Sequence, residues 1–145
     1  MPSRHRSRER ALQVLFQWDL RKLVADQALD HFYGSLIRED DEIDVSLRRD
    51  RFMEQLFRDT VSRLEEIDGQ IQKHSEHWRL DRMDRVDKSI LRMGVFELLF
   101  CDDIPSKVAM NEAVDLGKKF GAEESGAFIN GILDTISRTQ GKNEA

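Results

Sequence analysis

The sequence predicts an all-α fold of six to seven helices, and three observations carry that prediction. Apolar residues recur at i, i+3, i+4 and i+7 along most of the chain, the signature of one buried helix face. No stretch of useful length alternates apolar and polar residues as a half-buried strand would. The connections between the apolar stripes are short, which favours a compact domain made of two helical bundles. At 145 residues the chain reads as a single domain, 1–145, large enough to bury a core without disulfide or metal.

Taken in order, the first seven residues read as a basic flexible arm. A helix then opens near Ser7 or Arg8 and runs to Lys22, with Leu12, Leu15, Phe16 and Leu23 facing inward and Ala11, Val14 and Trp18 widening the stripe. A second helix, capped by Asp26, carries Leu29, Phe32, Tyr33, Leu36 and Ile37. It ends in the acidic run Glu39-Asp40-Asp41-Glu42, read as a solvated loop. A long third helix is expected from Leu47 to Gln72, its strip running from Phe52 through Leu56, Val61, Leu64 and Ile67 to Ile71, with Gly69 as its weakest turn. The polar passage His74-Ser75-Glu76-His77-Trp78 breaks the pattern.

A helix capped by Asp81 follows, from Arg82 to Cys101, with Met83, Val86, Ile90, Gly94, Glu97 and Leu98 on one face. Asp102-Asp103-Ile104-Pro105 stops it, because the residue before a proline is pushed out of the α region and the proline has no N–H to donate. The next helix starts near Lys107 and ends at Gly121, which would suit a left-handed cap. The last opens at Glu123-Glu124-Ser125 and buries Phe128, Ile129, Ile132, Leu133 and Ile136.

Composition narrows the function. Hydrophobic residues make up 39% and charged residues 35%, a balance typical of a soluble helical protein. No apolar run has transmembrane length, and the arginine-rich N-terminus has no signal core behind it, so a cytoplasmic location is expected. Cys101 is the single cysteine; it can form no internal disulfide and reads as a small core residue at a helix end. The glycines fit neither a P-loop nor a dinucleotide fingerprint. No histidine follows a glutamate by three residues, so a bundle-type metal site is not expected, and His74 and His77 read as a solvated pair. Neither catalysis nor a cofactor is predicted.

A net charge of −5 argues against nonspecific coating of nucleic acid. Locally the sign reverses: Arg4, Arg6, Arg8 and Arg10 against Glu9 give residues 1–10 a formal +4 − 1 = +3. Arginine suits phosphate because its planar fork pairs with oxygens and stacks on bases. The same residues also fit a merely solvated tail. A second candidate surface is the start of the last helix, where free N–H groups meet Ser125 and Phe128. Phe128 begins the core stripe as well, so stacking on a base and burial are both open. A third is the charged face from Arg79 to Arg92, whose alternating signs fit weak surface pairs or a partner's footprint.

Several motifs in fixed order are Ile90-Leu91-Arg92, Glu97-Leu98-Leu99, Asp103-Ile104-Pro105, Asn111-Glu112-Ala113 and Phe128-Ile129-Asn130-Gly131-Ile132-Leu133-Asp134. With Arg8 to Trp18 at the other end, they resemble the NusB family of bacterial transcription antitermination factors. The resemblance implies two packed three-helix bundles and a non-enzymatic protein that binds boxA single-stranded RNA together with NusE, a small ribosomal subunit protein. It further implies assembly of the antitermination complex on RNA polymerase, ribosomal RNA transcription included. Carried over residue by residue, RNA binding falls on Arg4, Arg6, Arg8, Phe16, Glu124 and Phe128, with Lys118 and Lys119 nearby as phosphate partners; Ser125 joins them from its place at the helix start. Partner binding falls on Asp81 and Asp87. Two alternatives stay open: a helical adaptor that binds only proteins, and the RNA-binding part of a ribosomal RNA cytosine methyltransferase. Monomer and homodimer are both compatible with the sequence.

Overall fold

A computed structural model of the chain describes residues 2–39 and 49–140. In order these form α1 (Arg4–Arg21), α2 (Ala25–Glu39), α3 (Arg51–Ser62), α4 (Leu64–Lys73), a 3₁₀ turn (Leu80–Arg82), α5 (Arg85–Phe100), α6 (Ser106–Phe120) and α7 (Ser125–Gln140). Among the described residues there is no strand, and no helix is long and apolar enough to cross a membrane. Most of the acidic run after α2 and the polar tail beyond Gln140 lie outside the described residues. The chain divides into two units, Met1–Val61 and Ser62–Ala145.

In the first unit α1 begins earlier than expected. Ser3 caps it by accepting the Arg6 N–H at 3.1 Å, so Arg4 and Arg6 lie on a helical turn and the expected flexible arm over 1–7 is corrected. Lys22, at φ 53 and ψ 45, supplies the left-handed end of α1. Asp26 does not cap α2. It stands inside the first turn and pairs with Arg58 at 2.6 Å, both side chains exposed.

Asp50 ties the three helices of this unit together. Its buried carboxylate accepts from Ser7 Oγ at 2.8 Å through each oxygen and caps α3 by accepting the Met53 N–H at 2.9 Å. Its own N–H donates to the Tyr33 hydroxyl at 3.0 Å, and that hydroxyl donates to Glu54 Oε2 at 2.8 Å. Burial, and next the bond to Glu54, push the Tyr33 phenol up to about 12. The two bonds from Arg49, at 3.0 and 2.6 Å, hold the Glu54 carboxyl below its ordinary range.

The helix expected from Leu47 to Gln72 is two helices. The interruption falls at Arg63, with φ −111 and ψ 21, and not at Gly69, which sits exposed within α4. Just before it, Thr60 Oγ1 donates back to the Leu56 carbonyl at 2.7 Å, a bond that loosens and bends helices.

In the second unit the cap of α5 is Asp84, not Asp81: its Oδ2 accepts the N–H groups of Val86 and Asp87 at 3.0 and 3.3 Å. Met83 is buried in extended backbone, so regular helix begins only after it. From Ser89 to Leu98 every residue of α5 is buried, and the helix packs against α4, α6 and α7. Arg92 is held in this setting by a two-point bond to Asp68, at 2.8 and 2.9 Å. Cys101 ends α5 half-buried. Where three helices were expected, this unit holds α4 to α7.

Close approach of α7 depends on residues without a Cβ. A methyl at Gly94 would stand 3.0 Å from Leu133 Cδ1, and one at Gly117 2.7 Å from Ile129 Cδ1. Gly121 is not left-handed, its φ being −93, so the expected cap is corrected. It is glycine for want of space: a Cβ there would lie 2.5 Å from Ser125 Oγ and 2.8 Å from the Gly117 carbonyl. Gly121→Ala is therefore expected to cost about 1–3 kcal/mol in urea denaturation through overpacking. Gly69→Ala, with nothing within 4 Å of the new methyl, should gain about 0.5–1 kcal/mol. Equal effects at the two sites would refute the contact argument.

Candidate nucleic-acid interface

The start of α7 is shaped by Ser125. Its buried hydroxyl accepts the Ala122 N–H at 2.9 Å, closing the turn between α6 and α7, and faces the Asp87 carboxylate, whose ionisation it favours. Phe128, half-buried one turn further on, meets Trp78 edge to face, with ring centroids 5.9 Å apart and planes at 79°. Trp78 is held by its backbone: its N–H donates to the Ser75 carbonyl at 3.0 Å, and its carbonyl accepts from Gln72 Nε2 at 3.1 Å. The indole itself is 56% exposed, an unusual position for so large an apolar side chain.

The two rings form a wall with a hollow on either side. One hollow, of about 220 Å³, is lined by Arg82, Met83, Asp84, Asp87, Glu124 and Ser125 together with the rings. The other, of about 470 Å³, has Lys73, His74, His77, Gly131, Ile132 and Thr135 among its lining residues. Burial pushes the Asp87 carboxyl above its ordinary range, the Ser125 hydroxyl opposes the shift and nearby Asp84 adds to it. Its Oδ1 is buried without a hydrogen-bond partner.

Of the expected site residues, the structure gathers Asp87, Glu124, Ser125 and Phe128 around the smaller hollow. Lys118 and Lys119 are exposed on the last turn of α6, the Lys119 ammonium 5.3 Å from the Phe120 ring. Asp81 is exposed beside Arg79 at 3.1 Å, a pair of little energetic weight. Arg4, Arg6, Arg8 and Phe16 belong to the first unit. Arg4 and Arg6 are exposed, Arg6 lying 3.4 Å from Glu9. Arg8, expected at a phosphate, is 3% exposed in this structure, with its guanidinium 5.2 Å from the Phe52 ring. Phe16 is half-buried.

His74 is not half of a solvated pair, because its ring nitrogens face the Gln70 carbonyl at 2.8 Å and Thr139 Oγ1 at 3.0 Å. Trp78 is the residue that sequence reasoning missed. The available signal was a tryptophan in a polar passage, outside every apolar stripe. Among the described residues no group of three or more His, Cys, Asp or Glu side chains could hold a metal ion.

The fold places this chain among small all-helical proteins, with an aromatic pair of its own beside the start of the last helix. The chain belongs to the NusB family, whose model matches residues 5–138. It is 44% identical to the transcription antitermination protein NusB of Myxococcus xanthus over 141 residues, 94% of this chain and 96% of that one. The corresponding protein of Solibacter usitatus is also 44% identical, with 95% of this chain and 90% of that one covered. Among solved structures, T. maritima NusB matches with a TM-score of 0.82 at 32% identity, covering 97% of this chain and 94% of that one. Antitermination factors NusB and NusE in complex with dsRNA match with a TM-score of 0.76 at 30% identity, covering 94% of this chain and 98% of that one.

The raised Asp87 carboxyl makes a checkable contribution to stability. Its ionisation is less favourable folded than unfolded, so it costs nothing below the unfolded carboxylate range and more as pH rises through the folded value. Asp87→Asn keeps an acceptor for Ser125 and removes the charge. The variant is expected to melt at a higher temperature than the parent at pH 7, the difference narrowing on acidification. A gap that does not change with pH would show that charge burial is not its source.

Proposed function

We propose that this chain is a cytoplasmic transcription antitermination factor that binds boxA single-stranded RNA together with NusE and helps assemble the antitermination complex on RNA polymerase, including during ribosomal RNA transcription. The observation that carries the reading is the exposed Trp78–Phe128 wall at the start of α7 in a chain of the NusB family. Single-stranded RNA is recognised by stacking unpaired bases on aromatic faces, and both rings offer apolar surface where a protein gains nothing by exposing it. Lys118 and Lys119 supply cations on the turn before α7, and Arg4 and Arg6 supply them on α1.

The acidic hollow suits the protein partner better than a phosphate. Asp84, Asp87 and Glu124 against Arg82 leave it with an excess of negative charge. A basic side chain of NusE would relieve that excess, and exposed Asp81 would act at the rim, on association rate more than affinity. A few stacked bases, at roughly 1–3 kcal/mol each, give modest affinity that a second protein can raise.

The test is fluorescence anisotropy of a labelled boxA-like RNA beside a scrambled one, at fixed salt, with and without NusE. Tighter and sequence-dependent binding with NusE is expected; equal binding of both RNAs would overturn the boxA reading. Phe128→Leu keeps burial and should lose affinity by roughly 1 kcal/mol or more. Arg4→Ala and Arg6→Ala should each flatten the log–log salt dependence by about 0.7.

A further inference from the structure

The two faces of the Trp78–Phe128 wall differ in both size and charge. The smaller hollow, about 220 Å³, is ringed by carboxylates. The larger, about 470 Å³, falls within the range of roughly 300–1,000 Å³ usual for small-ligand sites. Its formally charged lining is Lys73 and Glu76, one of each sign, with His74 and His77 beside them. Lys73 is exposed and makes no ion pair among the described residues, so its ammonium is available to a ligand without first breaking a bridge. The floor is the α7 face carrying Ala127, Gly131 and Thr135. Gly131 is exposed in the middle of that helix, and a Cβ there would meet nothing within 4 Å. A glycine in a helix interior is less stable than alanine would be, and no packing constraint requires this one. What its absent side chain leaves is open floor beside two aromatic rings.

We infer that this larger hollow is a nucleotide subsite for single-stranded RNA, with a base lying over Gly131 against the Trp78–Phe128 wall and its phosphate at Lys73. The inference rests on the RNA-binding reading above and extends it to residues that reading does not use. Charge favours this side for a phosphodiester: on the other face three carboxylates outnumber Arg82, whereas here Lys73 is matched by the single carboxylate Glu76. Continuity supports it, since the same two rings border both hollows and a strand stacked on Phe128 reaches this side without leaving the wall. His74 is held by Gln70 and Thr139, which fixes the edge of the hollow near Lys73.

The test uses the full chain and a short labelled single-stranded RNA that the parent protein binds. Gly131→Leu fills the floor and should weaken RNA binding roughly tenfold, the scale of one lost stacked base, while the melting temperature is kept or raised. Asn130→Leu, exposed on the same helix but outside the hollow, should bind as the parent does. Lys73→Ala should lower affinity and flatten the log–log salt dependence by about 0.7, a signature that a purely structural role would not give. If Gly131→Leu and Lys73→Ala bind like the parent while Phe128→Leu is weakened, the subsite inference falls and the RNA reading stands. If Gly131→Leu leaves RNA binding intact and loses only NusE, the hollow is a protein site and the inference falls. Should the parent bind no single-stranded RNA, both readings fall together.

Discussion

The close seating of α7 is the constraint from which the candidate surface follows. Gly94 and Gly117 admit Leu133 and Ile129 at distances that a methyl group on either glycine would contest. Gly121 admits the Ser125 side chain itself. With that seam closed, Ser125 can take the Ala122 N–H and face Asp87 at once, and Phe128 falls one turn later against Trp78. A core of larger residues here would push α7 outward and separate the two rings. Glycine is used in this unit for approach distance, not for unusual backbone angles, since no described glycine has positive φ.

The first unit solves a different problem, how to close three helices around polar residues. Asp50 is the answer: buried, it would be costly alone, but Ser7, Met53 and Arg10 supply its partners. The consequence for function is a sorting of the N-terminal arginines. Helix geometry from the Ser3 cap onward sets both Arg4 and Arg8 over the Phe52 ring but buries only Arg8, leaving Arg4 and Arg6 exposed, so the run of alternating arginines is not one uniform basic tail.

Much of this was legible in the sequence, for identifiable reasons. The stripes of α5, α6 and α7 run over many residues with strong breaks between them, and such patterns survive any detail of packing. Ends were less legible. Asp81 and Asp84 are both plausible caps, and only the burial of Met83 decides for the second. The break at Arg63 has no proline or glycine to announce it; an apolar stripe continues through it, and Thr60 carries the only local hint. The site was half legible. Ser125, Glu124 and Phe128 could be placed by helix position and family pattern, whereas Trp78 lay in a passage with no periodicity to read. Asp87 looked like part of an outward charged face because periodicity alone does not say which neighbour covers it.

Burial of Asp87 also bears on how an acidic protein could engage RNA at all. A net charge of −5 opposes nonspecific binding, so contacts with phosphate must be local and few. Asp84, Asp87 and Glu124 border one side of the Trp78–Phe128 wall against Arg82, whereas the other side has Glu76 matched by Lys73, with two histidines beside them. Under the proposed function such a partition would let one aromatic pair serve two partners, the acidic face repelling the nucleic acid and so adding selectivity without any added contact. The acidic face would hold the protein partner and leave the less acidic face to the nucleic acid. Occupation of the first would remove the negative charge that most opposes the second, so the two binding events would favour each other by linkage, with no change of shape required.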